Sequence, residues 1–404
     1  MTPFILSFMK NETVLSVAVI LAAVSTFFVP VDSQYLHYID FRTLALLYCL
    51  MTVIAGIRRR GVFSIIAGNL VRKSRRTSDT VAILVLASFF LSMLITNDVS
   101  LITLVPLTLT CFDQLPAEEQ RHWLLPAVVL ETIAANLGSM ATPIGNPQNL
   151  YLYGLSDLSL TDFFRIILPY SAASLVLLLL WIRVQSGRSA ASSGSPASSA
   201  ESTAFDENIA PSADSAAFAK GIAPSSESAA VTEPRSIAAY CALFLLCLTT
   251  VARITPWPVP LAAVLIYVLL FDRKTVSEVD YSLLGTFLAL FVFIGNLGRI
   301  AVFRSALSSI LTGHEVFTAI AASQVMSNVP AAILLSGFTS DLKSLIIGTN
   351  LGGLGTLIAS MASLISYKLI TKGDRVSRGQ YLLYFTGANL LFLVCLILLH
   401  LMIR

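Results

Sequence analysis

Charge is scarce in this chain. Asp, Glu, Lys and Arg make up 12% of its 404 residues, about half of the roughly 25% found in a soluble domain, so most side chains face something other than water. Histidine is rarer still. His37, His122 and His314 read as loop residues, His400 lies near the C-terminal end, and no metal-ligand spacing links them. The cysteines Cys49, Cys111, Cys241, Cys247 and Cys395 contain no C-x-x-C pair, which removes a disulfide framework. They serve instead as small hydrophobes in apolar runs. H-E-x-x-H, G-x-S-x-G and paired G-x-G-D motifs are all missing, which leaves an intramembrane enzyme only as a remote alternative. No small-x-small cleavage site follows the first apolar run, where Pro30, Val31, Asp32 and Ser33 stand instead. That run therefore reads as a retained span and not as a signal peptide.

What the chain has in abundance is apolar length. Hydrophobic residues make up 56% of it, and mean hydropathy is +0.80. Long runs cover Val14–Val29, Leu44–Ile57, Ala172–Ile182, Ala238–Val251, Leu261–Phe271, Leu283–Ile294 and Tyr381–Leu401. With their flanks they approach the roughly 17–25 residues that a helix needs to cross the hydrocarbon layer. The expected class is an all-α polytopic membrane protein. It is placed in the cell (inner or plasma) membrane, with lipid and a small-molecule or ion substrate as partners and no nucleic acid.

Basic residues orient the spans. Arg58, Arg59, Arg60, Arg72, Lys73, Arg75 and Arg76 cluster in one segment, whereas the loop Val31–Asp40 has no Lys or Arg. By the positive-inside rule the cluster and the N-terminus are cytoplasmic. Within the cluster, Val62–Leu70 is apolar but too short to span and reads as an interfacial helix. Residues 185–235, rich in Ser, Ala, Pro and Gly, read as a disordered cytoplasmic linker. The linker divides a first membrane half, 1–184, from a second, 236–404.

The halves resemble each other. Asp40–Phe63 aligns without gaps on Asp280–Phe303, pairing Asp40 with Asp280, Arg59 with Arg299 and Phe63 with Phe303. Asn136–Tyr153 aligns on Asn350–Tyr367, and both copies read N-L-G-x-x-x-T-x-I. Charge places the first helix of each pair in opposite directions across the membrane, so the repeats are inverted. One extra span, Ile237–Val251, produces the flip. Between the blocks, Thr96-Asn97-Asp98 and Ser327-Asn328-Val329 interrupt apolar stretches. The arms around the first triplet have about 14 residues each, roughly 21 Å of helix. Each triplet therefore reads as the tip of a re-entrant hairpin, about 79–111 and about 315–338. The segment Asn136–Asn149, N-L-G-S-M-A-T-P-I-G-N-P-Q-N, cannot be one regular helix. Irregular backbone at membrane depth is tolerated only where it lines a cavity or is buried in protein. Discontinuous helices are thus expected over about 124–155 and about 342–368, giving about nine spans plus two hairpins. Such interrupted elements in matching positions are the pointer to a transporter binding site.

The candidate substrate- and ion-binding residues are Thr96, Asn97, Asp98, Asn136, Thr142, Gly145, Asn146, Asn149, Ser327, Asn328, Asn350, Gly352 and Thr356. Helix ends offer carbonyls to a cation and N–H groups to an anion, while Asn, Ser and Thr add side-chain ligands. Asp98 and Glu131 are the candidate coupling carboxylates. Glu131 is placed near the start of its span, where snorkelling to water competes with a coupling role. Arg59 and Arg299 read as interfacial anchors. No cofactor is expected beyond sodium or protons as coupling ions.

At G-S-M-A-T-P-I-G-N-P-Q-N and the two Asn-centred tips the chain resembles the citrate-transporter-like permeases of the ion transporter superfamily. That group includes divalent-anion/sodium symporters, arsenite-efflux subunits and NhaD-type sodium/proton antiporters. The resemblance implies a scaffold of outer spans, a transport domain of hairpins and broken helices moving like an elevator, and a homodimer. The symporters carry Ser-Asn-Thr at both tips, where this chain has Asp98 and Val329 in third place. The ion-binding roles of the Asn and Ser/Thr residues carry over. The grip on a carboxylate does not carry over in the same form. The function expected is ion-coupled secondary transport of a small anion or oxyanion, with a carboxylate among the candidates and sodium/proton antiport as the alternative.

Overall fold

The computed structural model describes residues 12–72, 74, 76–192, 234–372 and 375–403. Among them there is no strand. The helices are α1 (Thr13–Ser25), α2 (Tyr35–Tyr38), α3 (Phe41–Arg59), α4 (Val62–Val71), α5 (Thr77–Ile95), α6 (Asn97–Phe112), α7 (Ala117–Ser139), α8 (Pro147–Leu155), α9 (Leu160–Ser192) and α10 (Pro234–Val251). They continue as α11 (Pro258–Phe271), α12 (Arg273–Val276), α13 (Tyr281–Arg299), α14 (Ala301–Leu311), α15 (Glu315–Met326), α16 (Asn328–Ser336), α17 (Leu342–Leu351), a 3₁₀ turn (Leu357–Ala359), α18 (Met361–Thr371) and α19 (Arg378–Ile403). Among the described residues six helices are long and apolar enough to cross a membrane: α3, the first 28 residues of α9, α5, α10, α13 and α19. The first apolar run is helical for only 13 residues, and α11 has 14.

Several expectations shift. The first arm before Thr96 is a 19-residue helix, longer than the apolar stretch, because Thr77, Ser78 and Asp79 add a polar first turn that suits a helix start. Residues 185–192, read as linker, continue α9. Extending an existing helix needs no new nucleus, so even Ser- and Gly-containing sequence propagates it for a few residues. Of the linker, 193–233 lie outside the described residues, as do Lys73 and Arg75. His122 lies in the second turn of α7 and His37 in α2. Val62–Val71 is the expected short helix, with Phe63, Ala67 and Val71 buried on one face and Ile65, Ile66 and Leu70 exposed.

The chain forms two compact units, and both are assembled from separated stretches of sequence. The first unit comprises Met1–Arg59, Thr142–Ile167 and Glu233–Ser360. Here α1 packs along α13, α10 and α11 pack on α3, and α15, α16, α17 and α8 form a tight group. Both repeat arginines are ion-paired within this unit, beyond the anchoring role expected. Arg59 binds Asp272 at 2.9 Å and Glu278 at 3.0 Å, and Tyr240 donates to the same Asp272. Arg299 binds Asp32 at 2.8 Å and the Tyr38 hydroxyl. These pairs are half-exposed, so each contributes at most about 1 kcal/mol.

The second unit comprises Arg60–Ala141, Leu168–Thr232 and Met361–Arg404. Its centre is α7, against which α5, α6, α18 and α19 pack. From Trp123 to Met140 nearly every α7 residue is buried, as expected of a helix enclosed on all sides.

Candidate functional site

In the second unit α5 ends at Ile95 and α6 begins at Asn97. The single residue between them, Thr96, has φ 73° and ψ 153°, a region that a β-branched side chain rarely enters and that costs on the order of 1–3 kcal/mol. The turn it makes delivers Asn97 as the first residue of the next helix. The Asn97 amide donates to Asn136 Oδ1 at 3.0 Å, and Asn136 donates in turn to Ser363 Oγ at 3.4 Å. Asn97 Oδ1 is buried and has no hydrogen-bond partner among the described residues. Asp98 is half-buried in the first turn of α6, where the helix dipole favours a carboxylate.

Asn136 reaches this position because α7 comes unusually close to α5. A Cβ built on Gly138 would stand 2.0 Å from the carbonyl oxygen of Phe89 and 2.6 Å from Ser92 Oγ. Only glycine fits. Glu131 lies earlier on α7 and is completely buried. It is not near the helix start, because α7 begins at Ala117, with Glu118 and Glu119 in its first turn. Snorkelling is therefore not open to it.

The first unit contains a second constellation. Ser327 adopts φ 74° and ψ 154°, within a degree of Thr96, and hands the chain to Asn328 at the start of α16. Ser327 Oγ lies 3.4 Å from Asn328 Oδ1, and the Asn328 amide nitrogen faces Gly353, 3.0 Å from a Cβ built there. Gly352 repeats the close approach of Gly138: a Cβ there would stand 2.5 Å from Ser323 Oγ. Asn350, the counterpart of Asn136, is the hub of three buried amides. Asn146 donates to Asn350 Oδ1 at 2.9 Å, Asn350 donates to Asn149 Oδ1 at 2.6 Å, and Asn149 donates to the Thr142 carbonyl at 3.2 Å. Asn146 also caps α8, accepting the Asn149 N–H at 2.9 Å, with Pro147 in the first helical position. Gly145 lies buried in the turn that leads to this cap.

Sequence reading missed three groups. Gln324 holds the second break together. Its amide donates to the Gly352 and Leu354 carbonyls at 3.0 and 2.9 Å, and its Oε1 accepts the Thr356 N–H at 2.9 Å. A glutamine in the otherwise apolar arm Val316–Met326 was the available signal. Ser363 occupies, in the N-L-G alignment, the place opposite Asn149, so the repeat itself pointed to it. Arg253, at φ 64°, donates to the Tyr153 carbonyl at 3.0 Å and to the Ser156 carbonyl, and lies over the Tyr153 ring. It caps the C-terminal end of α8, where a cation is favoured. Nothing local in the sequence marks it. Thr142 is half-buried and Thr356 exposed; Thr356 Oγ1 donates to the Gln324 carbonyl at 3.2 Å. Among the described residues no group of three His, Cys, Asp or Glu is placed to hold a metal ion.

Long apolar helices, together with broken helices whose polar groups are buried and capped, define a multi-pass membrane transporter. The chain belongs to the citrate transporter family, whose model matches residues 4–342. It is 29% identical over 349 residues to the uncharacterized transporter MJ0456 of Methanocaldococcus jannaschii, covering 85% of both chains. It is 28% identical over 353 residues to the inner membrane protein YbiR of Escherichia coli, covering 85% of this chain and 84% of that one. A shorter match, 32% over 146 residues, is to the silicon efflux transporter LSI3 of rice, covering 36% of this chain and 29% of that protein.

Proposed function

We propose that the protein is an ion-coupled secondary transporter of a small anion or oxyanion in the cell membrane, built from two inverted repeats. One observation carries this reading. A strained Thr or Ser starts a helix with a buried Asn in each unit, and in the second unit that Asn keeps a free, buried Oδ1 beside the end of α5. The last carbonyls of α5 and the Asn97 oxygen suit a small cation such as sodium. The N–H groups of the helix that follows suit an anion. The repeat is supported by three matched features: the paired φ values, the glycine–serine approach on both broken helices, and the Asn136–Ser363 bond matched by Asn350–Asn149.

In a cysteine-free background, cysteines introduced singly at Ser78 and His314 should label from opposite faces of the membrane, and labelling from one face would remove the inverted arrangement. The substrate test is uptake into proteoliposomes of citrate, arsenite and silicic acid under separate sodium and proton gradients. Citrate comes from the family name, silicic acid from the rice relative and arsenite from the wider superfamily. Gradient-driven accumulation of one of them is expected. Sodium/proton exchange is the second reading, favoured by Asp98 at the first tip. It predicts that sodium alone moves protons with no anion present.

A further inference from the structure

The buried carboxylate of Glu131 belongs to neither tip. It is 0% exposed in the middle of α7. Its Oε1 lies against Thr108 Oγ1 of α6. Its Oε2 is buried with no hydrogen-bond partner among the described residues, and none of the ion pairs there includes it. The helices packed on α7 present few titratable groups. Cys111 of α6 is buried near it. Tyr381 of α19 is buried beside Thr132, and Lys368 of α18 is exposed. Asp79, at the far start of α5, is exposed. On α7 itself His122 stands nine positions earlier, roughly 13 Å along the axis. Among the described residues no cation pairs with Glu131, as an ionised carboxylate at that depth would need.

Thr108 has one hydroxyl hydrogen and two neighbours for it: Glu131 Oε1, and the Leu104 carbonyl at 3.1 Å. The hydroxyl can satisfy both only if Glu131 brings a hydrogen of its own. A protonated Glu131 donates from Oε1 to Thr108 Oγ1, and Thr108 donates to Leu104. Oε2 is then a neutral carbonyl oxygen, far cheaper to leave unpartnered than a charged one. Loss of the proton turns Thr108 from Leu104 to Oε1 and leaves a charge with Oε2 unpartnered between α6 and α7, the two helices that carry Asn97 and Asn136.

We propose that Glu131 is the proton-carrying residue of the transport cycle, binding one proton from one side of the membrane and releasing it to the other. The Glu131–Thr108 contact passes its charge state to the two asparagines. This rests on the transporter reading above and names protons as a coupling ion of that site.

The test has a spectroscopic arm that needs no substrate. Infrared difference spectra of the wild-type protein in liposomes, recorded between acid and alkaline buffer, should show a protonated-carboxyl band that disappears on deprotonation. The band should be lost in Glu131→Gln and displaced in Thr108→Val, which removes the acceptor of the Glu131 hydrogen. Persistence of the band in Glu131→Gln, or no displacement in Thr108→Val, overturns the proposal. So does a wild-type spectrum without a titrating band. These wild-type and Thr108→Val results decide the matter even if Glu131→Gln fails to insert. In the transport arm, proton-gradient-driven uptake of citrate, arsenite or silicic acid should be lost in Glu131→Gln and restored with a shifted pH profile in Glu131→Asp. A wild-type pH profile in Glu131→Gln overturns the proposal. Wild-type protein that moves none of the probes counts against the transport reading alone, since the spectra still report whether Glu131 exchanges its proton.

Discussion

The two constellations use the same vocabulary to different ends. In the first unit the amides of Asn146, Asn350 and Asn149 are used on one another, and Gln324 ties three backbone groups of the break. In the second unit the equivalent hub is looser. Asn136 reaches Ser363 at 3.4 Å, Asn97 Oδ1 has no partner among the described residues, and the buried Glu131 carboxylate lies earlier on the same helix as Asn136. A saturated network is rigid and has little left to offer a ligand. An unsaturated one carries a standing cost that ligand or proton binding can relieve. The division of labour inferred is a structural break in the first unit and an ion- and proton-responsive one in the second.

Removing the hub of the saturated network should do the most damage to stability. Asn350→Ala removes a partner from Asn149 Oδ1 and from the Asn146 amide, both buried, and should cost about 2–5 kcal/mol. Thermal unfolding of the purified protein in detergent measures it, and an unchanged midpoint would show that the three amides are not mutually dependent. Gln324→Leu preserves bulk but leaves the Gly352 and Leu354 carbonyls and the Thr356 N–H without their partner. With Thr356 exposed, water recovers part of the loss, so a smaller cost of about 2–3 kcal/mol is expected in the same assay. Asn97→Ala should cost least, about 1 kcal/mol, because it breaks one hydrogen bond and removes an oxygen that had none. Its functional effect runs the other way: the coupling-ion concentration for half-maximal transport should rise about ten- to a hundredfold. If Asn97→Ala destabilises as much as Asn350→Ala while transport keeps its ion dependence, the contrast between the two constellations is lost.

Much of this architecture was open to the reader of the sequence, and for local reasons. Pro147 after Asn146 is a helix start written in two residues. The glycine-rich stretch from Gly352 to Gly355 is a helix end, with Gly355 at φ 111° taking a conformation that a side chain resists. The interruptions at Thr96 and Ser327 follow from short polar breaks, Thr96-Asn97-Asp98 and Ser327-Asn328, in apolar surroundings, and an apolar run of spanning length announces a membrane helix whatever it packs against. These features depend on neighbours within a few positions along the chain.

What only the tertiary structure decided is which distant groups meet. Glu131 was legible as a carboxylate in an apolar helix, but its depth depended on where α7 begins and on the α5, α6, α18 and α19 faces around it. Thr108 meets Glu131 only because α6 packs against α7. Gln324 and Thr356 lie 32 positions apart, and Asn146 and Asn350 lie 204 apart. Arg59 and Arg299, read as anchors, proved to be ion-paired to acids from the opposite half of the sequence. The assembly of each compact unit from several separated stretches has the same origin. Hydrogen bonds and ion pairs act over a few ångströms in space whatever the separation in sequence. The local code can therefore place polar groups along an apolar helix, and only packing determines which of them are left with a partner.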